Sequence, residues 1–186
     1  MIQRVALRFE AVLNHLDDLF YEASSTVSSA HKNILLSYVV IKLHDQWNFR
    51  SRQIIRLSYG NSLSQMMSLL RRSWSKQKEM ESSWEPAWHI PSNAIRAGRL
   101  LNIPNLSKIK DALGAVTYIN DIRWTRNAIV HNMPASFRKY RAMSLDKYFI
   151  RDIAPSQLPL EINPKSGNTI YQDWCDELRS ALRNVW

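Results

Sequence analysis

The hydrophobic residues of the chain recur at intervals of three and four, which is the spacing of one face of an α-helix. A first run over residues 5–20 predicts a helix. A second run over about 30–57 predicts a long, bent helix, which ends at the Tyr-Gly-Asn sequence of residues 59–61. The composition of residues 61–81 predicts a third helix with a solvated basic end.

The middle of the chain contains shorter elements. Residues 84–91, with the sequence WEPAWHIP, predict an ordered aromatic loop, because two prolines cannot both lie inside a regular helix. Ser92 is positioned to cap a short helix that reaches about residue 101. Asn105 is positioned to cap another, which ends near Gly114.

The last third of the chain also has a helical pattern. Residues 115–132 form an amphipathic run that Pro134 terminates. A basic aromatic stretch at 137–141 and a connection at 154–168 separate it from a final helix over about 170–185. Since no strand pattern or repeat competes, we predict an all-α helical bundle with extra short helices and the aromatic loop.

Length and composition narrow the class of protein. A chain of 186 residues with seven Trp and four Gly is typical of one folded domain, here taken as 1–186. Cys175 is the only cysteine, and no Cys/His set has zinc spacing, so we expect a protein without metal or cofactor. The most apolar stretch, 33–43, is too short to span a bilayer. Together with the lack of a targeting pattern, this predicts a soluble, cytoplasmic protein.

Charge is unevenly distributed along the chain. The net charge is +9 and the isoelectric point is about 9.9. Residues 94–186 contribute +6, against +3 from residues 1–93. A basic protein favours a polyanion such as RNA through counterion release, although many basic proteins bind nucleic acids only non-specifically.

Four polar residues on the helix at 115–132 form the strongest candidate for chemistry. Steps of four residues stack Arg123, Asn127 and His131 on one face, and Arg126 lies at the flank of that face. Cleavage of an RNA phosphodiester needs a group that titrates near neutral pH and planar cations that hold phosphate. A lone helical histidine more often has a structural role, so this pattern by itself leaves both interpretations open.

The segment Arg126-Asn127-Ala128-Ile129-Val130-His131 resembles the R-N-x-x-x-H signature of the HEPN superfamily. Many members of that superfamily are metal-independent endoribonucleases or toxins. The resemblance implies attack by the ribose 2′-hydroxyl at a composite site made by two protomers. It also implies that His131 is the general acid/base, that Arg126 clamps the scissile phosphate and that Asn127 orients the other groups.

A looser resemblance extends over a core at about 3–135, with the rest as a C-terminal extension. Residues 43–52, 84–88 and 100–105 look like landmarks of the RiboL-PSP-related HEPN families, which occur beside bacterial defence systems. Such families often bring a polar residue of the second helix to the Arg/His pair, and Asp45 is our candidate for that role. Alternatively, Asp45 is a solvated partner of Lys42 or Arg52.

Other residues have less specific interpretations. We predict that four cations contact the RNA backbone, although a solvated basic face explains them equally well: Arg123, Arg138, Lys139 and Arg141. His15 and His44 are expected to be structural. HEPN toxins that are neutralised by nucleotidylation have a Tyr two residues after the motif histidine, whereas this chain has Met133 there. We therefore do not expect that form of control.

The leading hypothesis is thus a homodimeric HEPN endoribonuclease, a toxin or effector in prokaryotic defence, with RNA as substrate and an antitoxin or defence protein as a possible partner. The alternative is a catalytically silent HEPN module that binds RNA, a nucleotide or a partner protein. A helical scaffold without a nucleic-acid role would leave the charge and the motif unexplained.

Overall fold

The computed structural model describes residues 2–74 and 84–185. Regular structure in these residues is helical, apart from one isolated antiparallel bridge between Ile162 and Thr169. The prediction of an all-α fold is therefore confirmed. The helices are α1 (Ile2–Ser25), α2 (Ser29–Tyr59), α3 (Leu63–Trp74), α4 (Pro91–Leu100), α5 (Leu106–Gly114), α6 (Ile119–His131), α7 (Pro134–Tyr148), a 3₁₀ turn (Leu158–Leu160) and α8 (Ile170–Arg183).

The long helices agree with the hydrophobic pattern. Helices α1 and α2 cover the two predicted runs, and α8 covers the predicted final helix. Helix α3 matches the first part of the predicted helix at 61–81, while its remainder, 75–81, lies outside the described residues. No helix in the described part of the chain is long and apolar enough to cross a membrane.

The predicted cap at Ser92 is wrong. Helix α4 begins two residues earlier than such a cap predicts, at Pro91 after an extended Ile90, and no side chain caps it. Proline suits the first turn because the N–H that it lacks would have no helical partner there. Asn105 precedes α5 as predicted, but its side chain forms no cap hydrogen bond. The aromatic loop therefore ends directly at α4.

Helix α6 begins at Ile119, four residues later than the pattern predicts. The cause is Glu177, whose Oε1 accepts the backbone N–H groups of Thr117 and Tyr118, both at 2.7 Å. These donors are thereby satisfied outside a helix, and a carboxylate near the N-terminus of α6 also complements the helix dipole. The basic stretch at 137–141 lies within α7, a helix that the sequence pattern did not predict.

Contacts divide the chain into two compact units. Unit 1 consists of Met1–Phe9, Gln46–Val116 and Ser180–Trp186, and unit 2 of Glu10–Asp45 and Thr117–Arg179. In unit 1, Phe9, Trp47 and Trp88 are fully buried. In unit 2, Trp174 and Tyr171 of α8 are also buried. The predicted single domain with a core at 3–135 stays a prediction.

Unit 2 contains the predicted motif. Its helices α1 and α8 are joined by ion pairs and by an aromatic stack. Arg179 of α8 forms ion pairs with Glu10 and Asp17 of α1. The rings of Phe20 and Tyr171 stack with their centroids 4.2 Å apart. These contacts hold α1 and α8 together within unit 2.

The first turn of α6 is fixed by a buried carboxylate. Asp121 is 3 % exposed and accepts from Lys147 Nζ at 2.6 Å and from Tyr148 Oη at 2.7 Å. Tyr148 Oη in turn accepts from Trp174 Nε1 at 3.2 Å. Helices α6, α7 and α8 thus share one buried network, which sets the direction in which the far end of α6 points.

Candidate functional site

The C-terminal end of α6 brings three of the predicted catalytic residues together. Arg126 Nη1 lies 3.2 Å from His131 Nε2 and 3.3 Å from Asn127 Oδ1. Because a guanidinium has only donors, the imidazole nitrogen and the amide oxygen must both be acceptors. The three side chains therefore form one contiguous group, which we call the motif site.

His131 is the exposed member of the motif site. It is the last residue of α6, and the chain turns away at Asn132, which has a φ of 44°. His131 Nε2 can accept from Arg126 in the tautomer that has its proton on Nδ1. An exposed imidazole with a lone pair held beside a cation is suited to proton transfer at an incoming anion.

Arg126 has no anionic partner among the described residues. Its side chain is half-buried, and no carboxylate of the described residues forms an ion pair with it. Its Nε is buried and has no hydrogen-bond partner within residues 2–74 and 84–185. A planar cation whose donors meet only neutral acceptors is a favourable site for a phosphate.

His44 lies on α2 and belongs to the same electrostatic neighbourhood. It is 8 % exposed, and its Nδ1 lies 3.2 Å from Asp45 Oδ1, which can only accept, so Nδ1 carries a proton. Burial lowers the pKa of His44 below its ordinary value of 6.5, Asp45 raises it, and the positive charges of Arg126 and Arg123 lower it further. His44 is therefore a buried, neutral histidine within electrostatic reach of the motif site.

Asp45 contacts His44 rather than the motif itself. No direct hydrogen bond or ion pair joins Asp45 to Arg126 or His131 among the described residues. Arg52, an alternative partner of Asp45, instead forms an ion pair with Glu85 at 3.0 Å. Asp45 and Arg126 thus act on the same histidine, and they shift the pKa of His44 in opposite directions.

The sequence alone predicts only a structural role for His44. It does not predict that the charge of Arg126 acts on this histidine. A signal was nevertheless present. His44 follows Leu36 and Val40 at four-residue steps, and both of these are fully buried. A titratable side chain at a position where the helix requires an apolar one is a reason to look for its electrostatic partners.

The predicted RNA-binding cations do not all lie in the motif site. Arg123 is half-buried, and its guanidinium carbon lies 5.9 Å from the Trp124 ring centroid. Arg138, Lys139 and Arg141 are exposed on α7, and no described side-chain contact joins them to Arg126 or His131. They form a basic surface on the helix that follows the motif.

Other catalytic chemistries find little support in the described residues. These residues contain no group of three or more His, Cys, Asp or Glu side chains able to hold a metal ion. Cys175 is buried, and burial raises the pKa of its thiol to about 12, so that thiolate is scarce at neutral pH. The motif site is the best candidate for function.

No protein-family model, curated protein or solved structure matches this chain, so its function has to be argued from the geometry of the site.

Proposed function

We propose that the protein is a metal-independent endoribonuclease of the HEPN type, which acts as a toxin or effector in prokaryotic defence. The observation that carries the proposal is the contact between Arg126 Nη1 and His131 Nε2 at an exposed helix end. It joins a phosphate-binding cation to a group that can move protons near neutral pH.

The reaction is an internal transfer. The 2′-hydroxyl oxygen attacks the adjacent phosphorus while the bond from phosphorus to the 5′-oxygen breaks, which leaves a 2′,3′-cyclic phosphate and a 5′-hydroxyl. A base takes the 2′-hydroxyl proton, and an acid supplies a proton to the 5′-oxygen. His131 Nε2 is free to exchange protons once the guanidinium of Arg126 turns to the phosphate, where it offsets the developing charge. Asn127 orients Arg126 through its amide oxygen.

One motif provides a single exposed imidazole, whereas the reaction uses both an acid and a base. A second copy of the chain, related by a two-fold axis, would provide the other. Val130 and Met133, on either side of His131, are 43 % and 59 % exposed and offer apolar surface for such a contact. We therefore infer a homodimer with a composite site, in which Asp45 supports Arg126 through His44.

Incubation of the purified chain with total RNA, and then with a defined RNA, tests the activity. Replacing His131 or Arg126 with Ala should reduce cleavage by about 100- to 10,000-fold with helicity retained. His15→Ala and Arg151→Ala, at exposed positions, are the matched controls and should cleave normally. Cleavage should persist in chelator and leave a 2′,3′-cyclic phosphate.

Full activity of His131→Ala would contradict the proposal. Loss of cleavage in chelator would do so as well. Binding of RNA without any cleavage would instead favour the silent module. In cells, expression should inhibit growth, and His131→Ala should relieve the inhibition.

Light scattering of the purified chain should show a homodimer. Co-expression of His131→Ala with the intact chain should lower the cleavage activity per intact subunit. A strict monomer that cleaves RNA would rule out the composite site.

A further inference from the structure

Unit 1 contains a cavity that the proposed function does not use. It has a volume of about 230 Å³ and lies between the first turns of α1 and the second half of α2. We call it the arginine cavity. Its lining residues are Arg4, Val5, Arg8, Gln53, Arg56 and Leu57.

Three of these lining residues are exposed arginines. Arg4 and Arg8 are four residues apart on one face of α1, and Arg56 faces them from α2. Like charges at this helical spacing repel each other. No carboxylate in the described part of the chain forms an ion pair with any of the three. Within the described residues, the cavity therefore concentrates positive charge without an ion-pair partner.

A fourth arginine contacts Gln53, one of the residues that line the cavity. Arg50 is 7 % exposed, and its Nη atoms donate to the amide oxygens of Gln53 at 3.2 Å and Gln46 at 3.3 Å. Its Nε is buried without a hydrogen-bond partner among the described residues. Burial lowers the pKa of Arg50, and the positive charge of Arg8 lowers it further. Burying a cation against neutral amides is costly, and an anion in the neighbouring cavity would offset that cost.

The shape and chemistry of the cavity restrict the ligand. Several guanidiniums around a small concave volume match a compact, multiply charged anion better than an extended, singly charged chain. Val5 and Leu57 add an aliphatic wall that can contact an apolar part of the same ligand. We propose that the arginine cavity binds a polyphosphate group, carried by a nucleotide or by the 5′ end of a nucleic acid.

Calorimetric titration of the full chain tests this binding with five probes. These are pyrophosphate, ATP, AMP, adenosine and a short oligodeoxynucleotide with a 5′-triphosphate, which a 2′-hydroxyl mechanism cannot cleave. ATP and pyrophosphate should bind saturably, AMP more weakly and adenosine not at all, and affinity should fall as salt rises. Binding of the oligonucleotide without free ATP or pyrophosphate would identify a nucleic-acid end as the source of the phosphate.

The double variant Arg4→Gln/Arg8→Gln should weaken polyphosphate binding by about tenfold or more. Both positions are exposed, so the fold should be retained. The matched control is Arg99→Gln/Lys110→Gln, which removes two exposed charges elsewhere in unit 1 and should change affinity by less than about twofold.

The proposal is overturned if no phosphate probe binds saturably, if adenosine binds as tightly as ATP, or if the two double variants lose equal affinity. None of these outcomes depends on RNA cleavage, because the motif site belongs to unit 2.

Discussion

The two ends of α6 differ in whether a charged side chain has a partner of opposite charge among the described residues. At the start, Asp121 is buried and engages a cation, a hydroxyl and, through Tyr148, an indole N–H. Towards the end, Arg126 Nη1 contacts the His131 imidazole and the Asn127 amide, and its Nε has no partner in the described residues. One short helix thus contains a satisfied ionic network and an unsatisfied cation.

This difference separates structural charge from candidate functional charge. Burial raises the pKa of Asp121, and Lys147 and Tyr148 lower it but leave it above its ordinary value, so its partners offset part of the cost of keeping the carboxylate buried. Within residues 2–74 and 84–185, no carboxylate forms an ion pair with Arg126. A cation that the fold holds without an anion is better explained by a ligand than by stability.

The largest expected effect on stability is at the start of α6. Asp121→Ala leaves Lys147 without its ion pair and Tyr148 Oη without its acceptor. Because Lys147 is 27 % exposed, we expect a loss of about 2–4 kcal/mol in the free energy of unfolding, less than for a fully buried pair. Urea denaturation measures it, and the exposed Asp146→Ala is the control, with a change below about 0.5 kcal/mol.

A smaller effect of opposite sign is expected at the other end. Arg126→Met removes a half-buried cation without an ion pair and should leave the free energy of unfolding unchanged or raise it by about 1 kcal/mol, while activity is lost. Arg179→Met is the contrast, because Arg179 pairs with Glu10 and Asp17, and it should be destabilising. If Arg126→Met lost as much free energy of unfolding as Asp121→Ala, the charge of Arg126 would be structural, like that of Asp121.

The smallest effect concerns pH and His44. Its pKa in the folded state lies below 6.5, so below about pH 6.5 the unfolded chain binds a proton that the folded chain does not. Above that pH, the contribution of His44 to the free energy of unfolding is at its full value. This contribution is lost as the pH falls towards the folded-state pKa, with a slope of at most about 1.4 kcal/mol per pH unit. His44→Gln should flatten this acid limb in denaturation measured between about pH 7 and 5. An identical pH profile in the variant would mean that His44 is not held neutral.

The sequence by itself determined most of the helices, though not α7, and the face that carries the motif. Apolar residues at three- and four-residue steps predict α1, α2 and α8, and the same rule places Asn127 on the face of His131 with Arg126 at its flank. These are local properties, because the period of a helix depends only on residues within a few turns.

Tertiary structure decided what the local pattern does not contain. Glu177, about sixty residues away in sequence, sets the start of α6, and α7 and α8 supply the partners of Asp121. The burial of His44 beside the charge of Arg126, and the meeting of Arg4 and Arg8 with Arg56 in the arginine cavity, also depend on helices that are distant in sequence. The spacing of residues within one helix does not specify which side chain of another helix will satisfy, or fail to satisfy, a charge, because that depends on how the helices pack.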